Sequence, residues 1–239
     1  MFYDTDYLLK NKQFMSVVDD NIYGWIDKYL SGEVMTLPKK VIGDLDTMTD
    51  YCSEEYLNHK LNDNYPINKH TAQTVWNTAD AGPKVQHKDA INWKDVDFSE
   101  KTKPLMKPVI EELEKYWSFV SLRNYLAWYK PQNYMGWHTN CKRKQDFSWK
   151  TKHVIMEEDY RLYLVWCDED NKSFFRWRDP NTLKIHTKWE NKGWNINWFK
   201  LGDCENPTWH CLYSDCNRFS IGFRVLNPID KVLNEIQEG

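Results

Sequence analysis

Residues 121–129 read SLRNYLAWY, and their alternation decides the fold. Leu122, Asn124, Leu126 and Trp128 fall on one side of an extended chain, and Arg123, Tyr125, Ala127 and Tyr129 on the other. A period of two belongs to a strand, not to a helix. Further strand-like runs follow at 134–140, 160–167, 173–178, 183–189, 194–200, 208–213 and 218–226. Turn residues separate them: 168–172 (DEDNK) has the composition of a hairpin turn, and Asp179-Pro180-Asn181 makes another. Many short strands with turns between them indicate a sandwich or jelly roll.

Upstream of residue 121 the pattern changes. Residues 14–30 place apolar side chains at helical spacing. A second helix is expected over 108–119: Pro108 suits the first helical position, Glu111 and Glu112 the first turn, and Val109, Ile110, Leu113 and Trp117 form one apolar stripe. The stretch 31–104 is rich in Asn, Asp, Lys and Pro and reads as loops with short elements. The expected organisation is mainly β with a helical N-terminal layer. It comprises a mixed region 1–120 packing on the barrel, a β core over 121–228 and a tail over 229–239.

The chain has 239 residues, enough to bury a substantial core. Its 32 basic and 35 acidic residues leave a formal charge of −3, so no global field draws in nucleic acid or membrane. Thirteen Trp, 14 Tyr and 10 Phe are spread along the whole length, which favours a β-rich core over a dedicated stacking surface. The six cysteines form no C-x-x-C pair and match no zinc spacing. No apolar run approaches the length of a membrane span, and no basic-plus-apolar leader opens the chain. The expected setting is cytoplasmic, with free thiols.

Chemistry concentrates in two places. His138 and Asn140 sit two apart on one strand-like run and therefore share a face. His210 follows 72 residues after His138, and Arg218-Phe219-Ser220 begins eight residues after His210. A His-x-acid pair on one strand and a distant His form a triangle of metal ligands that leaves positions open for co-substrate and oxygen. On the last run, Arg218, Ser220, Gly222 and Arg224 share one face, while Phe219, Ile221, Phe223 and Val225 share the other. The apolar face is expected against the core layer and the polar face inside the barrel. There a buried Arg needs an anion, and a dicarboxylate would supply it by charge-assisted bonds.

Residues 121–226 resemble the 2-oxoglutarate- and Fe(II)-dependent oxygenases, in particular the small prolyl-hydroxylase-like proteins of marine tailed phages. The resemblance is carried by Tyr129-Lys130-Pro131, Gly136-Trp137-His138-Thr139-Asn140, Arg161-Leu162-Tyr163, the run from Phe174 to Pro180, Trp209-His210 and the run from Arg218 to Phe223. It implies a double-stranded β-helix, with iron held by His138, Asn140 and His210. It further implies that Arg218 and Ser220 hold the distal carboxylate of 2-oxoglutarate, with a phenolic hydrogen bond from Tyr129 or Tyr163. The implied activity is hydroxylation of a protein side chain, a nucleobase or a small molecule, in the host cytoplasm if the chain is of phage origin.

The family's usual third ligand is a carboxylate, and Asn140 offers only a neutral amide oxygen. Fe(II) prefers an anionic oxygen. Three outcomes are physically open: weak coordination by the Asn140 carbonyl, a two-histidine site with an extra open position, or a lost metal site on a retained fold. The last is the alternative function, a non-catalytic binding or structural module. A cupin-like sugar-binding or isomerase barrel would need more ligands beside His138 than the sequence offers. Asp146 is a distant substitute ligand that lacks the i+2 geometry. Lys142, Arg143, Lys144, Lys150 and Lys152 form a basic loop beside the expected mouth and hint at an anionic substrate. Arg176 and Arg178 are expected in ion pairs with a neighbouring strand, or, as the sharper reading, on a substrate anion.

Overall fold

The computed structural model describes residues 2–3, 5–31, 52–62, 91–92, 99–131, 133–138, 160–201 and 207–229. The N-terminal part contains β1 (Phe2–Tyr3), α1 (Asp6–Lys10), α2 (Lys12–Val18), a π-helical turn (Asp19–Tyr23), α3 (Gly24–Leu30), α4 (Glu54–Asn62), β2 (Ile91–Asn92) and α5 (Ser99–Leu113). Eight strands follow: β3 (Trp117–Tyr129), β4 (Asn133–His138), β5 (Tyr160–Cys167), β6 (Ser173–Arg178), β7 (Ile185–Glu190), β8 (Gly193–Lys200), β9 (His210–Ser214) and β10 (Arg218–Pro228).

These strands form two antiparallel sheets. One runs β1-β8-β5-β10-β3-β2 and the other β4-β9-β6-β7. From β3 onward the chain changes sheet at every connection except β6–β7. The sheets face each other as a sandwich, and an apolar cluster joins them: Tyr129, Phe199 and Leu201 from the first side meet Met135, Phe175 and Leu212 from the second.

Each outer face has its own cover. On the six-stranded sheet, Leu162, Leu164, Ile196, Trp198, Phe219, Ile221, Phe223 and Val225 pack with Leu8, Phe14, Val18, Ile22, Ile26, Met106, Val109 and Leu113 from the helices. The expected helical layer on the apolar face of β10 is thereby observed. Asn11 starts α2 by accepting hydrogen bonds from the backbone N–H groups of Gln13 and Phe14, and its Nδ2 donates to the Tyr116 hydroxyl at 2.6 Å. On the four-stranded sheet, Cys52 and Leu57, at α4, pack on Tyr134, Trp137, Phe174, Trp209, Cys211 and Tyr213.

Two expectations need correction. The helix placed at 108–119 is α5, which starts at Ser99, carries Pro104 and Pro108 inside it and ends at Leu113. Met106, Val109 and Leu113 bury one face of it, and that burial outweighs the preference of proline for a first turn. Trp117, assigned by sequence to the helical stripe, instead opens β3 and packs edge-on against Trp198 at 5.2 Å. The turn at 168–172 is not a hairpin turn, because β5 and β6 lie in different sheets. It carries the chain across the sandwich through Asn171, in the left-handed region at φ 56°. The turn after β6 does close a hairpin: the Asp179 carboxylate accepts from the N–H groups of Asn181 and Thr182, both at 2.9 Å.

Four cysteines, Cys52, Cys167, Cys211 and Cys216, are buried free thiols. Among the described residues, no helix is long and apolar enough to cross a membrane.

Candidate functional site

The sandwich interior has a histidine end and an arginine end. At the first, His138 on β4 and His210 on β9 are register partners across the four-stranded sheet. Trp137 fixes which way β4 faces. Its ring lies in the outer cluster, and its Nε1 donates to the Ser53 carbonyl at 2.7 Å. A register shift between Met135 and His138 then turns His138 inward. Cys211 lies in the outer cluster, so its neighbour His210 also points inward.

The two imidazoles are 3% and 2% exposed, with ring centroids 4.2 Å apart. Nδ1 of His138 lies 2.9 Å from the Gly136 carbonyl oxygen, and Nδ1 of His210 lies 3.0 Å from that of Thr208. A carbonyl oxygen only accepts, so Nδ1 carries the proton in both rings. With Nδ1 as the donor, Nε2 is the nitrogen that bears the lone pair whenever the ring is neutral. Burial holds the His210 pKa well below the usual imidazole range, with the neighbouring charges of His138 and Arg161 acting in the same direction. Phe199 and Phe175 wall the His210 ring at centroid distances of 4.9 and 5.7 Å. The result is two buried imidazoles packed against each other beside Phe199 and Phe175, each oriented by a backbone carbonyl.

Asn140, the expected third ligand, lies outside the described residues, as do Asp146 and the basic loop. Among the described residues, no three His, Cys, Asp or Glu side chains cluster as a metal-holding group.

The arginine end lies further along the strands. His210 pairs with Trp177 and Ser214 with Ser173, so the two ends are four residues apart on β9, about 13 Å at strand rise. Arg218 is 1% exposed and points between the sheets, as its place on β10 predicts. The sequence does not mark its partner, which is Glu190 at the end of β7. Arg218 Nε donates to Glu190 Oε2 at 2.7 Å and Nη2 to Oε1 at 2.8 Å. Glu190 is fully buried and also accepts from Ser173 Oγ at 2.6 Å and Asn197 Nδ2 at 2.8 Å. Burial alone would raise the Glu190 pKa. The Arg218 charge and these hydrogen bonds outweigh it and hold the carboxyl below the usual range. For Arg218, burial acts downward, but the Glu190 carboxylate raises its pKa.

The other expected site residues have definite places. Ser220 is buried on the same face as Arg218. Tyr129 lies beneath the guanidinium, whose carbon is 5.4 Å from the ring centroid. Its hydroxyl points at the Met135 sulfur, 4.0 Å away, and burial pushes its pKa up. Tyr163 stacks on Phe199 at 6.1 Å, in the stretch between the two ends. Arg176 donates to the Thr187 hydroxyl at 2.8 Å and the Cys52 carbonyl at 2.6 Å, and lies over Phe174. It is thus held by neutral acceptors and an aromatic face. Arg161 and Arg224, register partners across β5 and β10, are two further buried cations, and the charge of Arg161 reaches His210.

No protein-family model matches the chain, and no curated protein matches it. Among solved structures, a prolyl-4-hydroxylase of Pseudomonas putida is similar at 11% identity and a TM-score of 0.32, over 79% of this chain and 90% of that one. A likeness that slight carries no argument about function, so any functional reading rests on the residues of the two interior ends.

Proposed function

We propose that the two sheets are a double-stranded β-helix and that its histidine end is an Fe(II) site with oxygenase chemistry. The strand orders β8-β5-β10-β3 and β4-β9-β6-β7, with near-continuous crossing between sheets, support the jelly-roll reading. The observation that carries the metal reading is the matched orientation of His138 and His210. Each Nδ1 is committed to a carbonyl two residues back, and the two buried rings lie 4.2 Å apart. Metal-binding histidines are oriented by this kind of outer hydrogen bond. The order His138-x-Asn140, His210, Arg218-x-Ser220 adds the sequence half of the argument, and Asn140 remains the proposed third ligand. When bound, iron would supply the oxidising chemistry. The chain supplies two imidazole ligands and an aromatic wall from Phe175 and Phe199 that excludes water.

The residues present do not fit 2-oxoglutarate held through Arg218. The edge of the guanidinium that would grip a distal carboxylate already grips Glu190. That observation favours a second reading, a binding module on the same barrel.

Anaerobic addition of Fe(II) followed by 2-oxoglutarate and then oxygen separates the readings. The oxygenase reading expects iron retained through both histidines and oxygen consumed once a substrate or reducing co-substrate is supplied. Failure to retain iron, with the fold intact, would leave the binding module.

A further inference from the structure

At the arginine end, Glu190 accepts from five donors: two from Arg218, one each from Ser173 and Asn197, and the Cys167 thiol at 3.8 Å. The cluster is balanced in charge but not in hydrogen bonds. Arg218 Nη1 and Asn197 Oδ1 are buried without a hydrogen-bond partner. Both side chains already bond the same oxygen, Glu190 Oε1, through Arg218 Nη2 and Asn197 Nδ2. One donor and one acceptor therefore remain open around a carboxylate that is already paired.

We propose that Glu190 is a built-in occupant of the anion seat at Arg218 and sets the specificity of the barrel interior against dicarboxylate ligands. The seat is filled from within the chain, and what is left open is one guanidinium N–H group at Nη1 and one amide oxygen at Oδ1. A carboxylate entering from solvent meets two obstacles. It must take Arg218 from a carboxylate that is covalently tethered in place and fully buried. If it shares Arg218 instead, two like charges lie together in a water-poor interior, where one must give up its charge. Glu190 cannot swing out to solvent without breaking its bonds to Ser173 and Asn197 and leaving Arg218 as an uncompensated buried charge. The inference stands apart from the metal reading, because the two ends are separate and no step involves the histidines.

Succinate is the probe, since it carries two carboxylates and no 2-oxo acid head with which to chelate a metal. Binding is read by thermal shift and calorimetry on metal-free protein. The expected result is no saturable binding to the wild type, and affinity at least about tenfold higher in Glu190→Ala. That gain should vanish in Glu190→Ala/Arg218→Met. Saturable binding of succinate to the wild type that Arg218→Met removes would overturn the proposal. So would a folded Glu190→Ala protein that shows no gain. Should Glu190→Ala fail to fold, Glu190→Ser, which also empties the seat, takes its place with the same expectation.

Discussion

Arg218→Met should be one of the most destabilising single changes in the interior, and Glu190 is the reason. The pair is 1% and 0% exposed, with both contacts within 2.8 Å, so the roughly 0–1 kcal/mol typical of surface pairs does not apply. Removing one member of a buried pair costs about 3–5 kcal/mol, because the partner's charge is stranded. For a chain of this length that corresponds to a fall in Tm on the order of 10 °C. The pair joins β10 of one sheet to the end of β7 in the other, so the loss should appear in global unfolding. Removing both charges is a different perturbation. In Arg218→Met/Glu190→Leu no charge is stranded, Ser173 keeps its bond to the Tyr213 carbonyl, and at least half of the lost stability should return. The assay is urea unfolding followed by Trp fluorescence on wild type, both singles and the double. Singles that each cost under about 1 kcal/mol would refute the reasoning, as would a double equal to their sum.

Acid should destabilise the metal-free protein in two stages. The His210 pKa is depressed from 6.5, so below that pH the unfolded chain binds a proton that the folded chain does not, and stability falls by about 1.4 kcal/mol per pH unit from that group. The Glu190 pKa is depressed from 4.5, so its contribution is present above that value and is lost as pH falls through its folded pKa. Stability that stays flat from pH 7 to pH 5 in urea titrations would contradict the first stage. Phe219→Ala should cost about 3–5 kcal/mol, since Phe219 is fully buried and stacked on Trp128 at 5.4 Å, 11° from parallel. A loss below about 1 kcal/mol would mean that β10 is not centred in this core. Arg176→Ala should cost about 1–3 kcal/mol by freeing the Cys52 carbonyl, and proteolysis near α4 should accelerate; an unchanged cleavage rate would count against that tie.

The strand half of the fold was legible because period two survives burial. The runs 160–167 and 173–178 match β5 and β6, and the two faces of β10 sort as the alternation requires. What was lost was long-range. No local pattern tells whether a turn after a strand folds back within its sheet or crosses to the other, and residues 168–172 do the second. The start of α5 is not legible locally, because Pro108 favours a first helical turn while tertiary packing carries the helix through it. The inward direction of Arg218 was readable from the alternation along the last strand. That Arg218 requires a buried anion was also readable, but the identity of that anion was not. Glu190 ends a mostly exposed strand 28 residues before Arg218. Its one sequence signal is a charged residue just ahead of the Gly193 turn, which marks surface glutamates equally well.

The central claim is that His138 and His210 hold a metal together. Its most direct test is anaerobic calorimetric titration with Fe(II) of the wild type, His138→Ala and His210→Ala, with circular dichroism as the check on fold. The account predicts one iron per wild-type chain and loss of that site in either variant with the spectrum unchanged. Equal iron binding in a variant, or none in the folded wild type, would contradict it.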